Sequence, residues 1–501
     1  MNDFDLTLTS PLPSAGDAGV PLLALTIVWH PDVSRIGAQF IDGTPEGAVA
    51  LSRFMPAFAH PGAMGLPLGH AGISRQPLLL TRDGRGGVDI VVPATAMVVE
   101  LNGRTIAGTV ELHAAQMAQG QILTLGRAVV LCLHWMDRLP ARNPVPGLVG
   151  VGSAAIAVRE QIRIVAPTAV PVLLLGETGT GKEIAARAIH ALGRRADAAL
   201  VTVNMAALNE SLAAADLFGA VKGAYTGAQS QRDGLFAQAD GATLFLDEIG
   251  NAPASVQPML LRVLEDGDYR PLGAVQDRHT SARLIAATDQ DLDAAGFNQA
   301  LLRRLEGFVI QLPPLRARRE DIGVLMLHML REAGAGTALP VALVADMAAY
   351  DWPGNVRQLA NALKRAVLLV QGGATPSLDQ LVRRGAPGPA APDAAPPDRG
   401  AAPAGLPVRR KPASVSAVEV LDAMERHAWT IQAAASALGV SRPSLYKLLE
   451  NHPEIRRAET IPDAELERAM AAAGGDVALG ATLLKTPMEA LRRRWRYLRP
   501  E

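Results

Sequence analysis

The chain has one cysteine in 501 residues, Cys132, so it cannot close an internal disulfide and fits a reducing compartment. It also lacks long apolar runs. Ala128 to Trp135 and Val170 to Leu175 are among the longest, far short of the roughly 18 residues that span a bilayer. A membrane-spanning protein is excluded on this reading. The first ten residues, MNDFDLTLTS, place acids where a secretory signal carries a basic region and an apolar stretch, so a cytoplasmic location is expected. Charge of one sign is missing too. With 48 Lys and Arg against 49 Asp and Glu, the net charge is −1, and any nucleic-acid surface must come from the distribution of charge rather than its sum. What is present is ample. A hydrophobic content of 49% and a mean hydropathy of +0.15 supply apolar surface to offset the ordering entropy, which excludes wholesale disorder. The 501 residues exceed a single core of about 100 to 200 residues, so several domains are expected.

The clearest boundary is the stretch 385–414, rich in Ala and Pro, with Pro387, Pro389, Pro392, Pro396, Pro397, Pro403 and Pro407. Repeated prolines fix φ and remove amide donors, which favours an extended, solvated linker. A softer break falls at ARNPVPG, residues 141–147. Before it, residues 1–138 hold short β-type runs (LLALTIVW, VDIVV, QILTLGRAVVLCLHW) that predict an all-β sandwich or barrel. After it, strands alternate with helices over 148–315, which predicts an α/β domain with a parallel sheet and a site at the strand carboxyl ends. Residues 316–384 read almost entirely as helix. Beyond the linker, 415–451 and 462–499 form an internal repeat at an offset of about 46 residues. It superposes Met424 on Met470, Leu438 on Leu484 and Leu445 on Leu491. Each copy predicts a helix, a short helix of small residues, a tight turn and a further helix, which is helix-turn-helix patterning. Gly439 suits the turn of the first copy; the second has Lys485 there, a less comfortable residue for φ > 0.

The segment GETGTGKE, from Gly176 to Glu183, follows an apolar strand and opens a helix, the context that marks a phosphate loop. Gly176, Gly179 and Gly181 let the backbone curl so that amides, including those around Glu177, Thr178 and Thr180, face phosphate oxygens. Lys182 reaches the β and γ phosphates. Further on, TLFLDE places Asp247 and Glu248 at the carboxyl end of a buried strand. Two acids there are costly without partners, and Mg²⁺·ATP is the expected one. Asp247 would hold the metal and Glu248 would activate the attacking water.

These residues, together with GAYTGA at Gly223, Ala224, Tyr225, Thr226, Gly227 and Ala228, resemble the AAA+ bacterial enhancer-binding proteins that activate sigma-54 RNA polymerase. The resemblance spans about 148 to 370 and implies an AAA+ ATPase with a helical lid. It assigns the hexapeptide to a loop that contacts sigma-54. It implies that Asn204 restrains Glu248 until nucleotide is sensed, that Arg304 is an arginine finger reaching a neighbour's ATP, and that Arg357, in WPGNVRQL, is a sensor of bound nucleotide. A ring would bring that finger to its neighbour, and the resemblance implies a hexamer. Two positions depart from the family pattern: Asp289 stands in ATDQDL where an asparagine is usual, and Asn298 in FNQALLRRL where an arginine is.

The carboxyl block resembles the Fis-type helix-turn-helix of the same family, which implies double-stranded DNA at an upstream enhancer as a partner. Its recognition residues would be Ser441, Arg442, Ser444, Tyr446 and Lys447, with Arg492 and Arg493 available from the second copy. A plain helical bundle used for dimerisation remains an alternative for that copy. The first block resembles a divergent forkhead-associated (FHA) domain, and Arg53, Ser74 and Arg75 are its candidate donors to a phosphothreonine partner. A protein-interaction role without phosphate reading stands beside it. The whole reading is a cytoplasmic transcription activator that uses ATP and Mg²⁺ to remodel the sigma-54 RNA polymerase holoenzyme. Its rivals are a DNA-binding regulator whose impaired ATPase only sets assembly, and an AAA+ remodeller unrelated to transcription.

Overall fold

In the run LLALTIVW, strand β1 (Leu22–Trp29), all but the first residue is buried, so neither face of this strand meets water. Alternation explains both faces. Leu23, Leu25 and Ile27 point into a β-sandwich core, while Val28 and Trp29 belong to a second core shared with helices far along the chain. The computed structural model describes residues 21–382 and 416–498, apart from 45–46, 141–142, 226–228, 294–295, 335, 337–338 and scattered positions between 428 and 475. They divide into two compact units, Met1–Gly388 and Pro389–Glu501.

The sandwich is built from β1 and from β2 (Gln39–Asp42), β3 (Ala48–Leu51), β4 (Leu78–Arg82), β5 (Val88–Val91), β6 (Val99–Leu101), β7 (Arg104–Ile106), β8 (Thr109–Leu112), β9 (Gln121–Leu125) and β10 (Val129–Met136). One sheet has the order β2-β1-β10-β9-β6-β7 and the other β3-β4-β5-β8, with every pair antiparallel. The all-β expectation for the first block is met.

Five parallel strands form the sheet of the second block: β11 (Val172–Leu175), β12 (Leu200–Asn204), β13 (Thr243–Asp247), β16 (Arg283–Thr288) and β17 (Phe308–Gln311). A hairpin of β14 (Asp268–Tyr269) and β15 (Arg278–His279) stands apart. The order is β12-β13-β16-β11-β17, so β16 lies between β11, which leads into Gly176, and β13, which ends on Asp247. Helices cover this sheet, as a βαβ pattern requires.

The lid contains the helices Ile322–Glu332, Val341–Ala349, Asn355–Gln371 and Leu378–Val382. Its core of Ile322, Met326, Val344, Met347, Trp352 and Leu359 is continuous with Val28, Ile36, Ile122, Val130 and Cys132 of the sandwich. Each fully buried aliphatic side chain contributes about 1.5 to 3 kcal/mol relative to exposure. Several of them across one boundary hold the sandwich on the lid rather than on a tether. The two blocks read from the sequence as separate domains are therefore packed as one unit, because the outer face of β1 and β10 is apolar and needs a cover. Asp321 adds a polar clasp: its carboxylate accepts from the Val151 and Gly152 amides at 2.6 and 2.8 Å, joining the start of the α/β block to the start of the lid.

In the second unit, helices Ala417–Arg426, Ile431–Leu438, Asp463–Ala472, Val477–Leu484 and Met488–Leu498 surround one apolar core. Every residue of the repeat pairs Met424/Met470, Leu438/Leu484 and Leu445/Leu491 is buried in it. Lys485 takes φ +47, the left-handed turn that its place in the repeat requires. Ser416 caps the first helix through a reciprocal capping box with Glu419.

Candidate active site

The loop after β11 turns through left-handed backbone at Gly179 (φ +82) and Gly181 (φ +106), where a side chain would be strained. The helix Lys182–Ala191 starts there, so its free amides face the cleft. Gly179 has a second reason to be glycine: a methyl group there would collide with the Gly354 carbonyl of the lid.

Lys182 donates to the Gly176 and Glu177 carbonyls at 2.7 and 3.2 Å. Burial pushes its ammonium below the usual lysine range, and the carboxylates of Asp289, Asp247 and Glu248 oppose that shift. Asp247 ends β13, and one of its oxygens accepts from the Glu248 amide at 3.0 Å. Burial raises its pKa, which that amide and Lys182 partly offset. Glu248 sits at φ +54, a conformation uncommon for a non-glycine residue. Thr178, Gly179, Gly181, Lys182, Glu183, Asp247, Glu248 and Arg357 all line one cleft of about 890 Å³ between the sheet edge and the lid. A loop of curled amides, a buried lysine and a half-buried carboxylate fit a Mg²⁺·nucleotide, with Lys182 and the loop for the phosphates and Asp247 for the metal.

Glu177 and Thr180 face the lid instead. Arg316 pairs with both oxygens of Glu177 at 2.6 and 2.9 Å, and Asn355 donates to Glu177 Oε2 and to the Thr178 carbonyl, both at 3.1 Å. Those contacts, Arg316 first and Asn355 second, bring the Glu177 carboxyl down to about 2. The Thr180 carbonyl accepts from Arg318 at 3.2 Å. Asn355 and Arg316 were missed by sequence reasoning, which took only Arg357 from that motif. The available signal was the Asn after Gly354, since asparagine tolerates left-handed backbone and Asn355 has φ +51.

Other expected residues lie outside the cleft. Asn204 pairs in register with Asp247 across β12 and β13, but its Oδ1 accepts from the Ala206 amide at 2.9 Å, and no hydrogen bond links it to Glu248 among the described residues. Arg304 is exposed and pairs with Glu265 at 3.1 Å. Asn298, at the place of the family's arginine, caps the helix Gln299–Leu305 by accepting from the Ala300 and Leu301 amides. A short polar side chain there serves the helix end rather than a phosphate.

Gly223 is exposed and Ala224 and Tyr225 are half-buried, following Ala220, which bridges Arg232 and Leu272, while Thr226, Gly227 and Ala228 lie outside the described residues. So do Ser441, Arg442, Ser444, Tyr446 and Lys447. Arg492 is exposed on the helix Met488–Leu498, and the side chain of Arg493 is not described. In the sandwich, Arg53 is committed to the loop backbone, donating to the Ile73 carbonyl at 3.0 Å and to that of Ala71. The Ser74 hydroxyl accepts from the Gln76 amide at 3.0 Å, and Met97 sulfur accepts from the Ser74 amide at 3.2 Å. Of the three expected phosphate donors, Arg75 is the exposed one.

Comparison with known proteins agrees with this geometry. Residues 148–311 match the sigma-54 interaction domain, 316–391 the AAA+ ATPase lid domain, and 412–450 the Fis family of bacterial regulatory proteins. The transcriptional regulatory protein ZraR of Salmonella typhimurium is 43% identical over 259 residues, covering 50% of this chain and 59% of ZraR. The DNA-binding transcriptional activator HyfR of Escherichia coli is 46% identical over 222 residues, 42% of this chain and 33% of HyfR. The chain thus spans between a third and three fifths of these relatives' length. A solved structure of NtrX from Brucella abortus in complex with ADP is 26% identical, covers 70% of this chain and 68% of that one, and has a TM-score of 0.42.

Proposed function

We propose that this chain, which carries a sigma-54 interaction domain, an AAA+ lid and a Fis-type helix-turn-helix, is a cytoplasmic transcription activator that hydrolyses ATP to remodel the sigma-54 RNA polymerase closed complex. The observation that carries the reading is the convergence of the phosphate loop, Asp247, Glu248 and lid residue Arg357 on one cleft. ATP with Mg²⁺ supplies the free energy of the cycle. The chain's own groups do the rest. Amides from Gly176 to Gly181 and the Lys182 ammonium orient phosphate oxygens, Asp247 holds the cation, and Glu248 takes a proton from water. Arg357 ties occupancy of the cleft to the lid. Arg304 is exposed and is not among the cleft-lining residues, which supports reading it as a finger that serves a neighbouring copy in a ring. The Gly223 to Ala228 loop delivers the motion to sigma-54, and the second unit binds double-stranded DNA upstream. The sandwich receives the signal from a partner protein, with Arg75 the side chain best placed to meet a phosphate.

The test is transcription in vitro from a sigma-54 promoter, with and without ATP, alongside steady-state ATP turnover of the wild type and Glu248→Ala. ATP-dependent transcripts and turnover lost in the variant are expected. Equal turnover in the two proteins would favour the second reading, a regulator in which nucleotide only sets assembly. One observation speaks for that reading: an additional carboxylate, Asp289, lines the cleft.

A further inference from the structure

Asp289 follows β16, whose Thr288 is in register with Leu175, so its carboxylate stands beside the phosphate loop. Thr178, inside the loop, donates its hydroxyl to Asp289 Oδ2 at 2.5 Å. That is the short distance of a charge-assisted hydrogen bond. Around the loop, the cleft wall presents Glu183, Asp247, Glu248 and Asp289 against Lys182 and Arg357. Of the three carboxylates that act on the Lys182 ammonium, Asp289 acts most strongly.

Asp289 therefore does in the protein what a terminal phosphate oxygen does in a complex: it accepts from a loop donor and balances the loop lysine. An asparagine could accept the same hydrogen bond without the charge. Each added phosphate brings further negative charge toward this carboxylate, and a fixed charge in a partly enclosed cleft is screened less than one on open surface.

We propose that Asp289 determines the nucleotide preference of this site, disfavouring nucleoside triphosphate relative to diphosphate by direct charge repulsion. The inference rests on the assignment of the loop as the ATP site. For two unit charges about 5 Å apart at intermediate dielectric, the repulsion corresponds to about tenfold in affinity.

The experiment measures binding of ADP and of the non-hydrolysable analogue AMP-PNP to the full chain in EDTA by titration calorimetry, for the wild type, Asp289→Asn and Asp289→Ala. In 50 mM salt, both variants are expected to bind AMP-PNP about tenfold more tightly relative to ADP than the wild type does. At 500 mM salt that advantage shrinks, as screening requires. Equal tightening of both nucleotides, or no change in their ratio, would overturn the proposal while leaving the ATP site intact. An advantage in Asp289→Asn alone, independent of salt, would assign the effect to hydrogen bonding and overturn it as well. If the wild type and both variants bind neither nucleotide, in EDTA or with Mg²⁺ present, the site assignment falls and the proposal with it.

Discussion

Gly323 of the lid lies against the carbonyl oxygen of Val28 in the sandwich, so closely that no side chain fits between them. The register of β1 against β10 slips between Ile27 and Trp29, and at that irregularity the lid helix Ile322–Glu332 approaches the strand backbone. Two segments almost 300 positions apart thus meet backbone to backbone, and the shared apolar core forms around them.

Replacing Gly323 with Ala forces that contact apart. Overpacking typically costs 1 to 3 kcal/mol, slightly offset by alanine's better helix propensity, so a loss of about 2 kcal/mol is expected in denaturant unfolding. Gly336→Ala, which meets nothing within 4 Å, is the control and should be nearly neutral. Equal stability of the two variants would argue against a fixed sandwich–lid contact.

Asn355 is fully buried, accepts from the Leu315 amide at 2.7 Å and donates to the phosphate loop. Asn355→Ala leaves the Leu315 amide unpaired and puts alanine in left-handed backbone, for a total of about 3 kcal/mol. Hydrogen exchange should also rise in the 176–183 loop. Exchange unchanged in that loop would separate Asn355 from loop positioning.

His134 is buried in the sandwich, accepting from the Thr26 hydroxyl at 2.8 Å through Nε2 while Nδ1 donates to the Trp135 carbonyl. Burial depresses its pKa from 6.5 to about 4. The folded state therefore favours the neutral ring. The associated stability is present in full above about pH 6.5 and is lost as pH falls toward 4, amounting to about 3 kcal/mol. Urea unfolding at pH 7.5, 6 and 5 should show this loss in the wild type and a shallower dependence in His134→Gln. Parallel pH profiles would remove His134 as the cause.

Thr226→Ala should abolish transcripts from a sigma-54 promoter while ATP turnover stays within about twofold, because none of the described residues of that loop, Gly223, Ala224 and Tyr225, lines the cleft. Turnover lost together with transcription would place Thr226 in the ATPase itself.

Much of the central site was legible in residue order. The phosphate loop must place glycines and a lysine within eight positions because phosphate geometry demands it, and Asp247 and Glu248 stand out as acids ending an apolar strand. The repeat was legible for a similar reason: Met424, Leu438 and Leu445 recur at fixed spacing because the same packing is made twice. What residue order did not show for Arg53, whose type and place suited a phosphate, is that the folded loop takes its Nε and one amino group for the Ile73 and Ala71 carbonyls.

The sequence by itself determined the elements, their apolar faces and the chemistry of the cleft, because each depends on patterns within a few helical turns or one strand. Only the tertiary structure decided what covers those faces and which side chains are left free. It set the outer face of β1 and β10 on the lid, made Asn355 the tie between lid and loop, and brought Asp289 to Thr178. Those pairings join residues from different elements, most of them more than a hundred positions apart, and a periodicity shows that a face must be buried without naming its partner.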